Sequence, residues 1–155
     1  MNRSVFMTLL LSLLVSLSFG QDRTALRKKE FNLDNNLAID GYDPVAYFKT
    51  NKAVKGRKEW SISNQGVNYY FSSAANKEEF QKNPARYEPE YGGWCAYAMG
   101  AKGEKVSIDP ATFKIVNGKL YLFYNSFFNN TLKSWNKDEK HLKTEADKNW
   151  NKIYH

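Results

Sequence analysis

Phe113-Lys114-Ile115-Val116-Asn117-Gly118-Lys119-Leu120-Tyr121-Leu122-Phe123-Tyr124 is the stretch from which the fold can be read. Two runs rich in aromatic and branched residues flank Asn117-Gly118. Both central residues of a type I′ turn need positive φ, which Asn and Gly adopt at low cost, and that turn matches the twist of paired strands. The stretch therefore predicts a β-hairpin. A second hairpin precedes it, where Trp60, Ile62, Val67, Tyr69 and Phe71 alternate across Gln65-Gly66.

Helical signals surround the hairpins. Asp43-Pro44 reads as a helix start, because Asp caps free amides and Pro at the first helical position loses no hydrogen bond. The helix runs on through Val45, Ala46, Tyr47 and Phe48. Ser72 or Ser73 caps a helix from Ala74 to Lys82, and Asn83-Pro84 ends it. A Pro- and Tyr-rich loop follows, from Tyr87 to Tyr91. Gly92-Gly93 then opens into Trp94–Met99, read as a short helix closed by Gly100 and Gly103. Asn130 or Thr131 starts a helical stretch through Leu132 and Trp135. A final helix from Lys137 to about Tyr154 spaces Leu142, Ala146, Trp150 and Ile153 on one face. The expected fold is α+β: a small single domain with β-hairpins packed against short helices and a C-terminal helix.

The N-terminus reads as an export signal over residues 1–20. Arg3 gives a positive start, Phe6 to Phe19 an apolar run, and Ser18-Phe19-Gly20 a small-residue cleavage site before Gln21. The run is too short for a membrane span, which needs about 20 apolar residues. Residues 21–36 read as a polar leader with an amphipathic patch from Leu26 to Leu33, and residues 37–155 as the domain. The protein is thus expected to be exported, periplasmic or extracellular, with no stable membrane span after cleavage. Lys and Arg outnumber Asp and Glu by 23 to 16, a formal net charge of +7. That balance implies weak attraction to anionic surfaces. Nucleic acid is not expected as a partner, because export removes the opportunity and Lys is interleaved with Glu.

Asp43-Pro44-Val45, Tyr69-Tyr70-Phe71-Ser72-Ser73, Phe80, Asn83-Pro84 and Tyr87 carry a resemblance to the YHS-domain family over roughly residues 38–90. Tyr91-Gly92-Gly93-Trp94-Cys95-Ala96-Tyr97-Ala98-Met99, Ser107-Ile108-Asp109-Pro110 and the Asn117-Gly118 hairpin make it similar to an exported, cysteine-poor branch. The resemblance implies a metal-binding or other binding module. The thiolates expected from that family fall on Ala46, Ser72 and Asn76 here, so its usual metal site does not carry over. Soft metals need soft ligands.

Candidate chemistry therefore centres on sulfur. The chain has a single cysteine, Cys95, which has no disulfide partner within the chain. Met1 and Met7 leave with the signal, so Met99 is the other sulfur of the mature chain. Cys95 and Met99 stand at i and i+4, on one face if the stretch is helical. Amides at a helix start favour a thiolate, and thiolate plus thioether suits Cu(I), so copper is the candidate metal. The competing reading is that both are core residues, with Met filling gaps beside Trp94 and Tyr97. His141 is a candidate further ligand, and His141 with Asp138 the partners a Cys95 nucleophile would need. Glu78-Glu79 and Glu88-Glu90 read as solvated carboxylates, and Lys102 and Lys105 as a basic turn. Tyr42, Tyr47, Tyr70, Trp94 and Tyr97 are candidate walls of a pocket for a planar ligand, haem included, or else members of an aromatic core. The expected function is a binding module taking a soft metal ion or small ligand near Cys95 and Met99. A thiol-dependent redox protein using Cys95, and a structural or interaction domain, are the alternatives.

Overall fold

The computed structural model describes residues 23–155, and the signal segment read at residues 1–20 lies outside them. Helix α1 spans residues 23–30. It is followed by β1 (Leu33–Asp34), β2 (Leu37–Ala38), α2 (Pro44–Thr50), β3 (Arg57–Asn64), β4 (Val67–Phe71), α3 (Ala74–Lys82) and α4 (Pro84–Tyr87). Then come α5 (Ala96–Lys102), β5 (Asp109–Val116), β6 (Lys119–Phe123), α6 (Thr131–Trp135) and α7 (Glu139–Tyr154). One sheet has the order β1-β2-β4-β3, antiparallel except for the parallel pair β2–β4, and β5–β6 form a second, two-stranded sheet. The α+β class expected from the sequence is the one observed, with two hairpins and a C-terminal helix. No helix among the described residues is long and apolar enough to cross a membrane.

The β5–β6 hairpin turns at Asn117 and Gly118, with φ of 51° and 73°, the left-handed pair that a type I′ turn requires. β6 is apolar at every position after Lys119 because both its faces are covered. Leu120 and Leu122 enter one hydrophobic cluster with Val45, Tyr47, Val67, Tyr69, Phe71 and Phe80. Tyr121 and Phe123 point the other way, into a cluster with Tyr91, Ala96, Met99, Trp135, Leu142 and Ala146. Side chains alternate along a strand, so one short run builds two cores. In the second core α5 and α7 approach closely: a Cβ on Gly100 would lie 2.4 Å from the carbonyl oxygen of Leu142.

Asp43 fixes the first core. It is fully buried, and its carboxylate accepts five hydrogen bonds. Oδ1 takes the amides of Val45 and Ala46 (2.8 and 3.2 Å), capping α2. Oδ2 takes the amide and hydroxyl of Ser72 (2.8 and 2.6 Å) and Nδ2 of Asn76 (2.7 Å). One side chain thereby ties the start of α2 to the junction of β4 and α3. Ser73, one of the two caps foreseen for α3, accepts from the Asn76 amide at 3.1 Å.

Of residues 21–36, read from the sequence as a polar leader, the described part, 23–36, contains α1 and β1 and packs on the rest of the chain. The Arg27 guanidinium makes a two-pronged ion pair with Glu88 (3.1 and 2.5 Å). Glu88 also accepts from Tyr69 Oη (2.9 Å) and Asn64 Nδ2 (3.0 Å). Glu88 is thus a half-buried anchor, not the solvated carboxylate expected. Burial beside this carboxylate pushes the Tyr69 hydroxyl well above its ordinary pKa. Glu30 pairs with Lys105, and Trp94 Nε1 donates to the Glu30 carbonyl at 2.7 Å. Lys105, read from the sequence as part of a basic turn, is thus an ion-pair partner of Glu30. Phe31 closes the contact against Trp150 and Tyr154.

Two outcomes follow from these buried polar groups. Asp43→Ala strands several donors, each costing about 1–3 kcal/mol when buried and unmet. Urea unfolding should show a loss of at least about 3 kcal/mol, against less than about 0.5 kcal/mol for the exposed Asp34→Ala. A loss below about 1 kcal/mol for Asp43→Ala would contradict its role. The second concerns acid. The hydrogen bond from the Lys105 ammonium holds the Glu30 carboxyl below the usual carboxylate range. A carboxyl whose folded pKa is depressed stabilises the fold above its unfolded value, about 4.3 for Glu, and loses that contribution as pH falls through the folded value. Glu30→Gln should therefore be less stable than wild type at pH 7, and the gap in urea midpoint should close on acidification. A gap that stays constant with pH contradicts the pairing.

Candidate functional site

Cys95 follows a turn at Glu90–Gly93 in which Tyr91, Gly92 and Gly93 all have positive φ (56°, 60° and 84°). This turn reverses the chain and delivers Cys95 to the start of α5. The helix begins at Ala96, two residues later than the sequence suggested, and Cys95 is its N-cap residue. The sulfur makes no capping bond to the helix amides. It turns instead to the chain beyond β6, where the Tyr124 amide donates to Sγ at 3.3 Å and Thr131 Oγ1 lies 3.4 Å away. The Thr131 hydroxyl donates to the Tyr124 carbonyl at 2.7 Å. A hydroxyl has one proton, so Oγ1 is left to accept, and the Cys95 S–H is the donor that fits. Asn130 caps α6 through the Leu132 amide (3.1 Å) and so holds Thr131 in place.

Above this knot lies a cavity of about 200 Å³. Cys95, Tyr97, Ala98, Ala101, Val106, Tyr124 and Thr131 line it, and Lys102, Glu104 and Asn129 complete the wall. The lining is largely apolar. Cys95 lies on the cavity's floor and is itself 0% exposed.

Met99 is also 0% exposed and packs in the second core among Tyr91, Tyr121, Phe123 and Trp135. One turn of backbone joins the two residues, the Met99 amide donating to the Cys95 carbonyl at 3.0 Å. Their side chains have different neighbours: a hydroxyl and an amide for Cys95, aromatic rings for Met99. His141 is exposed on α7, and no group of three or more His, Cys, Asp or Glu among the described residues is placed to hold a metal ion. Of the five aromatics expected to line a pocket, only Tyr97 borders the Cys95 cavity. Tyr47 is core, its hydroxyl donating to the Pro110 carbonyl at 2.8 Å. Trp94 packs on α1, Tyr42 lies under the Lys55 ammonium, and the Tyr70 ring stands 3.2 Å from where a Gly41 Cβ would be.

Ala46, Ser72 and Asn76, where the YHS resemblance puts thiolates, do meet in space: all three donate to Asp43. Their polar groups satisfy one another in this chain. Val106, Tyr124 and Thr131 were not singled out from the sequence as site residues. Thr131 carried only a helix-start signal and Tyr124 only a strand-end signal. The chain matches no family model, no curated protein and no solved structure.

The burial of Cys95 sets its accessibility. A bulky aromatic disulfide reagent should label native protein at least about tenfold more slowly than protein unfolded in urea, and the native rate should rise in Thr131→Gly, which opens the floor. Equal rates in native and unfolded protein would show a thiol on the surface and contradict the arrangement.

Proposed function

We propose that the chain is a non-catalytic binding module, YHS-like in its core, whose ligand occupies the cavity over Cys95. The ligand class that suits the walls is a small, neutral, mainly apolar molecule of one or two rings. The carrying observation is the apolar cavity of about 200 Å³ floored by the only cysteine of the chain. For scale, an apolar cavity of about 150 Å³ holds benzene. The polar atoms that face the ligand are few and fixed, as in small-molecule sites generally. The N-terminal export signal supports placing the module beyond the membrane that the chain crosses.

The soft-metal reading assigns copper to Cys95 and Met99. What supports it is their single turn of separation. Binding would require the Met99 thioether to leave the ring cluster of the second core. The redox reading requires an accessible thiol, and Cys95 has 0% exposure. The YHS reading of the core is supported by the convergence of Ala46, Ser72 and Asn76 on Asp43.

Indole is a suitable probe. Titrated into the protein, it should saturably shift the methyl resonances of Ala98 and Ala101 and leave that of Met99 unmoved. Ala101→Trp, on an exposed position of the wall, should fill the cavity and abolish binding while thermal stability stays within about 1 kcal/mol. Absence of saturable shifts would overturn the small-ligand reading. Anaerobic Cu(I) binding that is lost in both Cys95→Ser and Met99→Leu would replace it with the metal site.

A further inference from the structure

Phe127 and Phe128 are each 94% exposed, the two large hydrophobic side chains among the described residues that stand free of the fold. They are adjacent, with rings 4.7 Å apart at 84°. The loop that carries them is closed and polar at its base. Ser126 and Asn129 exchange backbone hydrogen bonds (2.9 and 3.2 Å), and Asn125 bridges to Asn130. The pair is thus held out at a tip instead of folding back onto the neighbouring apolar surface.

We propose that this tip docks the protein onto an anionic bilayer surface, with Phe127 and Phe128 entering between lipid headgroups. Three features favour a bilayer over a protein partner. Two phenylalanines offer about 150–250 Å² each, well short of the roughly 800 Å² per partner of a stable protein interface. The shoulders of the tip, Asn125, Ser126, Asn129 and Asn130, are polar residues suited to headgroup level. Charge points the same way. Lys133 borders the tip, Lys102 lies on the adjoining cavity wall with Asn129, and neither makes an ion pair among the described residues. Of the nearby acids, Asp109 is engaged by Thr112 and Asn125 (2.8 and 3.3 Å), while Glu104 shares the wall with Lys102. The chain as a whole carries +7. Apolar insertion combined with basic charge is the combination that holds peripheral proteins on anionic membranes. The inference stands on the loop and not on any occupant of the Cys95 cavity, although Asn129 and Thr131 join the two and docking would set the cavity beside the bilayer.

The test uses the full chain and a reporter at the tip, so that the apolar N-terminal segment does not decide the outcome. Ser126→Cys, labelled with a nitrobenzoxadiazole dye, reports on the tip alone because Cys95 is buried. Phosphatidylcholine vesicles containing about 30% phosphatidylglycerol should brighten the dye, and the response should weaken between about 0.1 M and about 0.5 M salt. Adding Phe127→Ser and Phe128→Ser should weaken binding at least about tenfold. A response that survives the double substitution overturns the proposal, as does an equal response on phosphatidylcholine alone. A dimer seen in sedimentation without lipid, lost in the double variant and accompanied by no vesicle response, overturns it in favour of self-association.

Discussion

β6 is covered on both faces, and the rest of the molecule is arranged around that constraint. Leu120 and Leu122 require one set of partners and Tyr121 and Phe123 another, so the chain has to supply apolar surface on two sides of a single short strand. The four-stranded sheet with α2 and α3 supplies one side, and α5, α6 and α7 supply the other. The same strand ends at the candidate site. Tyr124, the next residue, offers its amide to the Cys95 sulfur and its carbonyl to Thr131. The geometry at Cys95 is therefore inherited from the strand that organises both cores.

Buried polar groups then fix which elements meet. Asp43 gathers the amides of α2 and the polar groups of Ser72 and Asn76 in place of a cation, since hydrogen bonds are what make a buried carboxylate tolerable. Arg27 and Glu88 do the equivalent for α1. A buried pair of this kind adds little net stability compared with apolar packing, but removing one partner leaves an uncompensated charge. Its effect is to specify where α1 docks. With the polar groups placed in this way, the chain assembles without a disulfide and with its one cysteine buried beside a cavity.

Much of this was legible in the residues themselves. The Asn117-Gly118 turn, the Gln65-Gly66 turn, the Asp43-Pro44 cap and the Asn83-Pro84 stop each act over four or five residues, and each is found where local chemistry placed it. The less legible parts depend on distant partners. Arg27 and Glu30 look solvated in the sequence because Glu88 and Lys105 lie 61 and 75 residues away. Helix periodicity put Cys95 and Met99 on one face. The helix instead starts just after Cys95, which frees that side chain to follow the N-cap geometry toward Thr131. The cavity walls come from four separate segments, and no short motif could have joined Val106 and Tyr124 to Cys95.

The proposed function rests on one claim, that the space over Cys95 is a preformed site for a small apolar ligand. Xenon tests it directly, because the gas enters dry apolar cavities and scatters strongly. In a crystal of the protein pressurised with xenon, the account predicts an anomalous peak in contact with Cys95 Sγ, between Tyr97 and Val106. A structure in which Tyr97 and Tyr124 close over the thiol, with no xenon beside it, would contradict it.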